Sequence, residues 1–164
     1  MSHPYDILPV LQGARFIFTP CPGTKEEDLV RSVATLKAAG TDAVISLLSN
    51  TELGMLGVAA LGDEIQRHNM AWYQLPIEDD CAPQAPFFDV FELVKDDLQV
   101  RLDSGETIAI HCRGGTGRTG LMAAILLLEA GESWETVKNQ IQSIRPKALI
   151  LAPHLAYIEQ NYLD

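Results

Sequence analysis

The chain has 164 residues, 47% hydrophobic and 7% aromatic, enough apolar material for one compact domain with a substantial core over residues 1–164. Its formal net charge of −10 disfavours nucleic acid and acidic membranes as partners, because most of the surface repels phosphate backbones and anionic headgroups. Cys21, Cys81 and Cys112 form neither a disulfide ladder nor a metal-ligand spacing, and the start Met1-Ser-His-Pro-Tyr-Asp6 lacks a basic-then-apolar leader; a reducing, cytoplasmic setting is expected.

Along the chain, Ala14 to Phe18 reads as a first strand. Thr24-Lys-Glu-Glu27 has the form of a capping box, and Leu29, Val33 and Leu36 mark a helix ending at Gly40. Ala43 to Leu48 is a second strand. Ser49-Asn-Thr-Glu52 then starts another turn, and a glycine-interrupted segment to about His68 is helical. Ala71 to Ile77 gives a third strand. Pro86 suits the first turn of a long helix that aligns Phe87, Phe91, Val94, Leu98 and Leu102 and ends before Gly105. Thr107 to Ile110 is a short buried strand, and Leu121 to Leu128 an apolar run of helical length, too short to span a bilayer. Gly131 and Ser133 separate a further helix with Trp134, Val137, Ile141 and Ile144 inward, and Pro153 opens the last. Strands alternating with helices imply an α/β fold with a mainly parallel central sheet flanked by helices, whose ligands bind beyond the carboxyl ends of the strands. Asp79 and Cys112 both fall at such ends.

Between the last strand and the apolar helix lies His111-Cys-Arg-Gly-Gly-Thr-Gly-Arg-Thr-Gly120. A helix N-terminus has unpaired N–H groups and the positive end of the peptide dipoles, and Gly114, Gly115 and Gly117 allow several N–H groups to converge on one point. Arg113, Gly114, Gly115, Thr116, Gly117 and Arg118 thus form a cradle for a phosphate. Cys112 stands at its start, where the same field favours the nucleophilic thiolate. Arg118 supplies a planar guanidinium that holds two oxygens at once and matches charge developing during phosphoryl transfer. The Thr119 hydroxyl is placed to donate to the sulfur when it leaves, and His111 to orient the loop from beneath through backbone hydrogen bonds, or simply to satisfy groups at the strand end.

Cys-x5-Arg-[Ser/Thr] preceded by His resembles the signature of the cysteine-dependent protein phosphatases, and the chain looks like a small member of the dual-specificity group. Leu75-Pro-Ile-Glu-Asp79-Asp80-Cys81-Ala-Pro83 is similar to that family's mobile acid loop, with Asp79 as its aspartate; Phe18-Thr-Pro-Cys-Pro-Gly23 and Ser143-Ile-Arg-Pro146 resemble the kinase-associated branch. The resemblance implies a protein-tyrosine-phosphatase-like fold, hydrolysis of a phosphorylated protein or peptide through a cysteinyl-phosphate, no metal and no cofactor. It assigns Cys112 as nucleophile, Asp79 as general acid and Arg118 as transition-state clamp. Where many relatives carry a glutamine near Pro153 that helps place the attacking water, this chain has His154 and Leu155. The lysine-rich cradle of phosphoinositide phosphatases is missing, Arg113 being the only basic residue between Cys112 and Arg118, which disfavours a lipid substrate.

Other readings compete. Asp80 is a second candidate acid, and Asp79 and Asp80 read without the Cys loop would be solvated loop carboxylates. Cys81 is either a small residue shaping its loop or a partner for Cys112 in a reversible disulfide. Trp72 and Trp134 are core residues or supports. Gly115-Thr-Gly117-Arg-Thr-Gly120 also fits the dinucleotide fingerprint G-x-G-x-x-G of an NAD-dependent oxidoreductase, but that fold needs a further parallel strand where Glu132 to Ile144 has helical periodicity. A phosphoprotein-binding module using the same cradle without turnover is the third class, and the presence of Asp79, which binding alone does not need, argues against it.

Overall fold

The computed structural model describes residues 2–163. In chain order it contains β1 (Asp6–Pro9), a 3-10 turn (Leu11–Gly13), β2 (Arg15–Thr19), α1 (Leu29–Ala38), β3 (Ala43–Ser46), α2 (Asn50–Met55), α3 (Leu61–Arg67) and β4 (Ala71–Gln74). There follow α4 (Ala85–Asp103), β5 (Thr107–His111), α5 (Gly117–Glu129), α6 (Trp134–Ile144) and α7 (Ala152–Tyr162). The strands form one sheet in the order β1-β2-β5-β3-β4, parallel except for β1, which runs antiparallel with Asp6 opposite Phe18 and Pro9 opposite Arg15. The α/β, mainly parallel arrangement expected from the alternation is therefore present.

Crossing from β2 to β3 and from β3 to β4 moves across the sheet in one direction, and crossing from β4 to β5 moves back. Right-handed crossovers then put α1 and α3 on one face and α4 on the other. In agreement, α1 packs on α3, while α4 meets α5 through the Gln99 carboxamide, which donates to Leu126 O at 3.1 Å. Helix α5 is buried at every position from Arg118 to Leu127, as a helix apolar all round must be, and α6 and α7 cover it. Among the described residues no strand follows β5. The dinucleotide reading lacks the strand that would carry its acidic ribose ligand.

The structure departs from the sequence expectations locally in three places. Helix α1 is capped by Asp28, whose carboxylate accepts from Arg31 N–H at 2.9 Å, and not by a Thr24–Glu27 box. Glu27 is engaged elsewhere, accepting from His3 N–H at 2.8 Å and the Thr35 hydroxyl at 2.9 Å. Strand β1 was absent from the sequence reading because only Leu8 of its four residues faces inward, so it carries no alternation to read. The expected strands Ala43–Leu48 and Ala71–Ile77 end at Ser46 and Gln74, yet Leu75 N–H to Ser46 O at 2.9 Å and Ile77 N–H to Leu47 O at 3.0 Å keep the chains together past that point. These bonds deliver Ile77 and the turn after it to the same rim as the end of β5.

Candidate active site

The rim is built on β5. Its last residue, His111, is fully buried, and its ring has one consistent proton arrangement. The Cys112 carbonyl only accepts, so His111 Nδ1–H donates to it at 3.0 Å, and Nε2 must accept from the Ser46 hydroxyl at 2.5 Å. Ser46 in turn accepts from the Trp72 indole N–H at 2.8 Å. Burial, opposed by that backbone bond, lowers the His111 pKa to about 4, so the ring is neutral. Trp72, expected as a core residue or support, is a support, and it fits because position 62 is glycine: a Cβ there would lie 2.4 Å from the indole ring.

Cys112 follows, 4% exposed. Its Sγ accepts from Gly115 N–H at 3.3 Å and from the Thr119 hydroxyl at 3.2 Å. Gly115 has φ +82°, and a Cβ on it would lie 2.6 Å from the Thr19 backbone, so only glycine lets the loop lie against the end of β2. The loop is pinned from behind as well: Arg113 O accepts from Cys21 N–H at 3.0 Å, and Gly115 O from Arg145 Nε at 2.9 Å. Arg145 also donates to Asp6 Oδ2 at 2.7 Å and to Phe18 O at 3.3 Å, tying the loop to β1 and β2. Cys21 is buried, and burial first, then the charges of Cys112 and Glu52, push its thiol up to about 12. Helix α5 begins at Gly117 with Thr116 as N-cap, and no side chain caps its first-turn N–H groups.

Arg118 is 2% exposed and divided in function. Its Nη1 donates to both oxygens of Glu52, at 2.9 and 3.1 Å, and to Ile77 O at 2.9 Å. Its Nε is buried without a hydrogen-bond partner among the described residues, the nearest acid being Asp79 Oδ1 at 3.5 Å. The Asp79 side chain is 67% exposed. It sits in a β-turn closed by Cys81 N–H to Glu78 O at 3.1 Å, with Asp80 at φ +61°.

A cavity of about 320 Å³ is lined by Cys112, Arg113, Gly114, Thr116, Gly117 and Arg118, with Asp79, Asp80 and Lys25 at its sides. The structure thus brings the sequence-predicted residues together, with His111, Gly115 and Thr119 beneath the cavity and the others around it. Lys25 and Glu52 have no site role in the sequence reading, Arg145 appears there only within a family motif, and His154 only in place of a relative's glutamine. Glu52 lies in a segment whose reading was satisfied by Ser49, which does cap α2 by accepting from Glu52 N–H at 3.1 Å. A second cavity of about 520 Å³, reaching from Ser49 to Pro86, shares Asp79 with the first. Among the described residues no helix is long and apolar enough to cross a membrane.

Residues 22–152 match the family model described as Swiss Army Knife protein, DSP-PTPase phosphatase domain. The chain is 32% identical over 129 residues to cyclin-dependent kinase inhibitor 3 of Sus scrofa, covering 76% of this chain and 58% of that protein. It is 29% identical over 99 residues to PRL-1 phosphatase of Drosophila melanogaster, covering 60% and 54%. The chain therefore spans little more than half the length of these curated relatives. In fold it is similar to the crystal structure of kinase associated phosphatase with its catalytic-site cysteine substituted by serine, at TM-score 0.84 and 21% identity over 98% of this chain and 94% of that one. A model match over most of the sequence, on a fold shared with a phosphatase, shows that the chain belongs to the DSP-PTPase phosphatase domain family.

Proposed function

We propose that the protein hydrolyses phosphomonoesters on a phosphorylated protein or peptide, phosphotyrosine foremost and phosphoserine or phosphothreonine in addition, through a cysteinyl-phosphate. The observation that carries this reading is Arg118: one edge of a buried guanidinium is fixed by Glu52 and Ile77 O, and Nε on the side of Asp79 is left without an acceptor next to a sulfur held by two donors. A buried donor lacking its partner is a cost that a bound oxyanion removes. In the first step Cys112 Sγ attacks phosphorus, the bond to the ester oxygen breaks, and Asp79 gives that oxygen its proton. In the second, water attacks phosphorus while the Asp79 carboxylate takes its proton, and the sulfur leaves as thiolate, received by the Thr119 hydroxyl and Gly115 N–H. The uncapped N–H groups of α5 and the free edge of Arg118 hold the equatorial oxygens in both. His111 keeps the Cys112 carbonyl turned away from the cradle by donating to it. Thiolate chemistry of this kind suits a reducing, cytoplasmic setting.

The test is turnover of an aryl phosphate. Cys112→Ser should abolish it while leaving vanadate or phosphate binding largely intact. A wild-type protein that binds phosphopeptide but shows no turnover would instead be a reader of the same cradle.

A further inference from the structure

Ile77 to Cys81 is a short piece of chain with an unfavourable backbone. The turn needs Asp80 at φ +61°, a region that residues with a Cβ seldom occupy, and between buried Ile77 and half-buried Cys81 the side chains of Glu78, Asp79 and Asp80 are all exposed, so no packing holds its tip. Such a turn keeps one shape only if its ends are fixed from outside. The upstream end is fixed by Arg118, whose Nη1 donates to Ile77 O at 2.9 Å. At the downstream end, His154 Nε2 lies 3.0 Å from Cys81 O.

His154 is 1% exposed and stands in the first turn of α7, whose Tyr157 and Ile158 are buried, so its ring is carried by a rigid element. Because a carbonyl only accepts, Nε2 carries the proton. Burial lowers the pKa of the ring, which keeps it neutral and leaves Nδ1 without a proton, and Nδ1 is buried with no partner. Asp80, Asp79 and Arg118 all lie near enough to bear on its charge. One donor is therefore committed to the acid turn, from a side chain that has no other hydrogen bond among the described residues.

The geometry points to His154 as a positioning residue for the general acid: by holding Cys81 O it fixes the downstream end of the turn and keeps the Asp79 carboxyl over the Cys112 cradle. The inference rests on Asp79 being the acid, and the experiment separates the two claims. Turnover is measured with an activated aryl phosphate, whose leaving oxygen needs no proton, and with a phenyl or alkyl phosphate, whose leaving oxygen does, for wild type, His154→Phe, His154→Gln, Asp79→Asn and the double variant Asp79→Asn/His154→Phe.

If His154 positions the acid, His154→Phe lowers kcat/KM, which reports formation of the cysteinyl-phosphate and not its hydrolysis, by about 10- to 100-fold on the poor leaving group, part of the roughly 10²- to 10⁴-fold effect of a general acid, and by under about threefold on the activated one. His154→Gln, which reaches equally far and restores an N–H, recovers most of the loss. In the Asp79→Asn background His154→Phe has almost no further effect, since there is no acid left to position. Equal loss on both leaving groups, or a further full loss in the Asp79→Asn background, would show a general packing role and overturn the inference while leaving Asp79 in place. An Asp79→Asn protein without leaving-group dependence would remove the acid and this inference with it.

Discussion

The Cys loop and the acid turn face each other across one cavity, yet they are built in opposite ways. The loop is anchored at its buried residues Cys112, Gly115 and Arg118 and over-determined: Cys21 N–H, Arg145, His111, Thr119 and the φ of Gly115 each fix a different atom of it. The turn is exposed, has one closing hydrogen bond of its own, and is held from outside by Arg118 and His154. The contrast matches what each must do. On the proposed mechanism, a cradle for developing charge works only if its dipoles are already in place, whereas Asp79 as the acid would give up its place beside Arg118 to an incoming phosphate and return.

Damage to the loop should accordingly be severe and indivisible. Gly115→Ala puts a Cβ 2.6 Å from the Thr19 backbone at φ +82°. Loss of essentially all turnover is expected, with destabilisation of about 2–4 kcal/mol by urea unfolding. A Gly115→Ala protein with near-normal kcat would mean the loop has slack that the contacts do not show.

Damage to the turn should be graded by residue. Asp79→Asn should lower kcat by about 10² to 10⁴ on poor leaving groups, while Asp80→Asn, with the same change of charge one residue on, should cost less than about threefold. The reverse order would make Asp80 the acid. Both variants should unfold near the wild-type midpoint, because both carboxylates are exposed.

The gentlest effect, spread over more than two pH units, is on stability, and it belongs to the loop side. A histidine whose folded pKa is lowered resists a proton that the unfolded chain accepts, so its contribution is complete above the unfolded value of about 6.5 and is lost as pH falls towards the folded value. For His111 that window runs from about 6.5 down to about 4. The lowered His3 and His154 act in the same direction. Unfolding free energy should decline by at most ~1.4 kcal/mol per pH unit per histidine across it, and His111→Gln should flatten the profile. A wild-type profile flat between pH 7 and 4.5 would show that His111 takes up its proton while folded.

Much of this was legible because the Cys loop is contiguous. Cys112, the glycines and Arg118 lie within one strand-to-helix connection, and its glycines, apolar flanks and buried arginine carry their meaning locally. Helix α4 was legible for the same reason, with Pro86 in its first turn and Phe87, Phe91, Leu98 and Leu102 buried. What was missed is held by partners far away in sequence. Glu52 reads as a helix-start acid until Arg118 is seen on it. Arg145 reads as the end of α6 until its guanidinium is found joining Asp6, Phe18 and Gly115. The Thr24–Glu27 box failed because Glu27 has two stronger claims on it, from His3 and Thr35, and only tertiary structure brings His3 there.

The row from Trp72 through Ser46 and His111 to the Cys112 carbonyl has one further consequence. Every hydrogen in it points the same way, so four neutral groups add up like aligned magnets with the electropositive pole directed at the Cys112 backbone. Such a pole carries no net charge, sits where counter-ions do not penetrate, and so favours an anion above it almost equally in dilute and concentrated salt. On a protein of net charge −10, whose long-range field repels phosphate, this gives the site an attraction that begins only at contact.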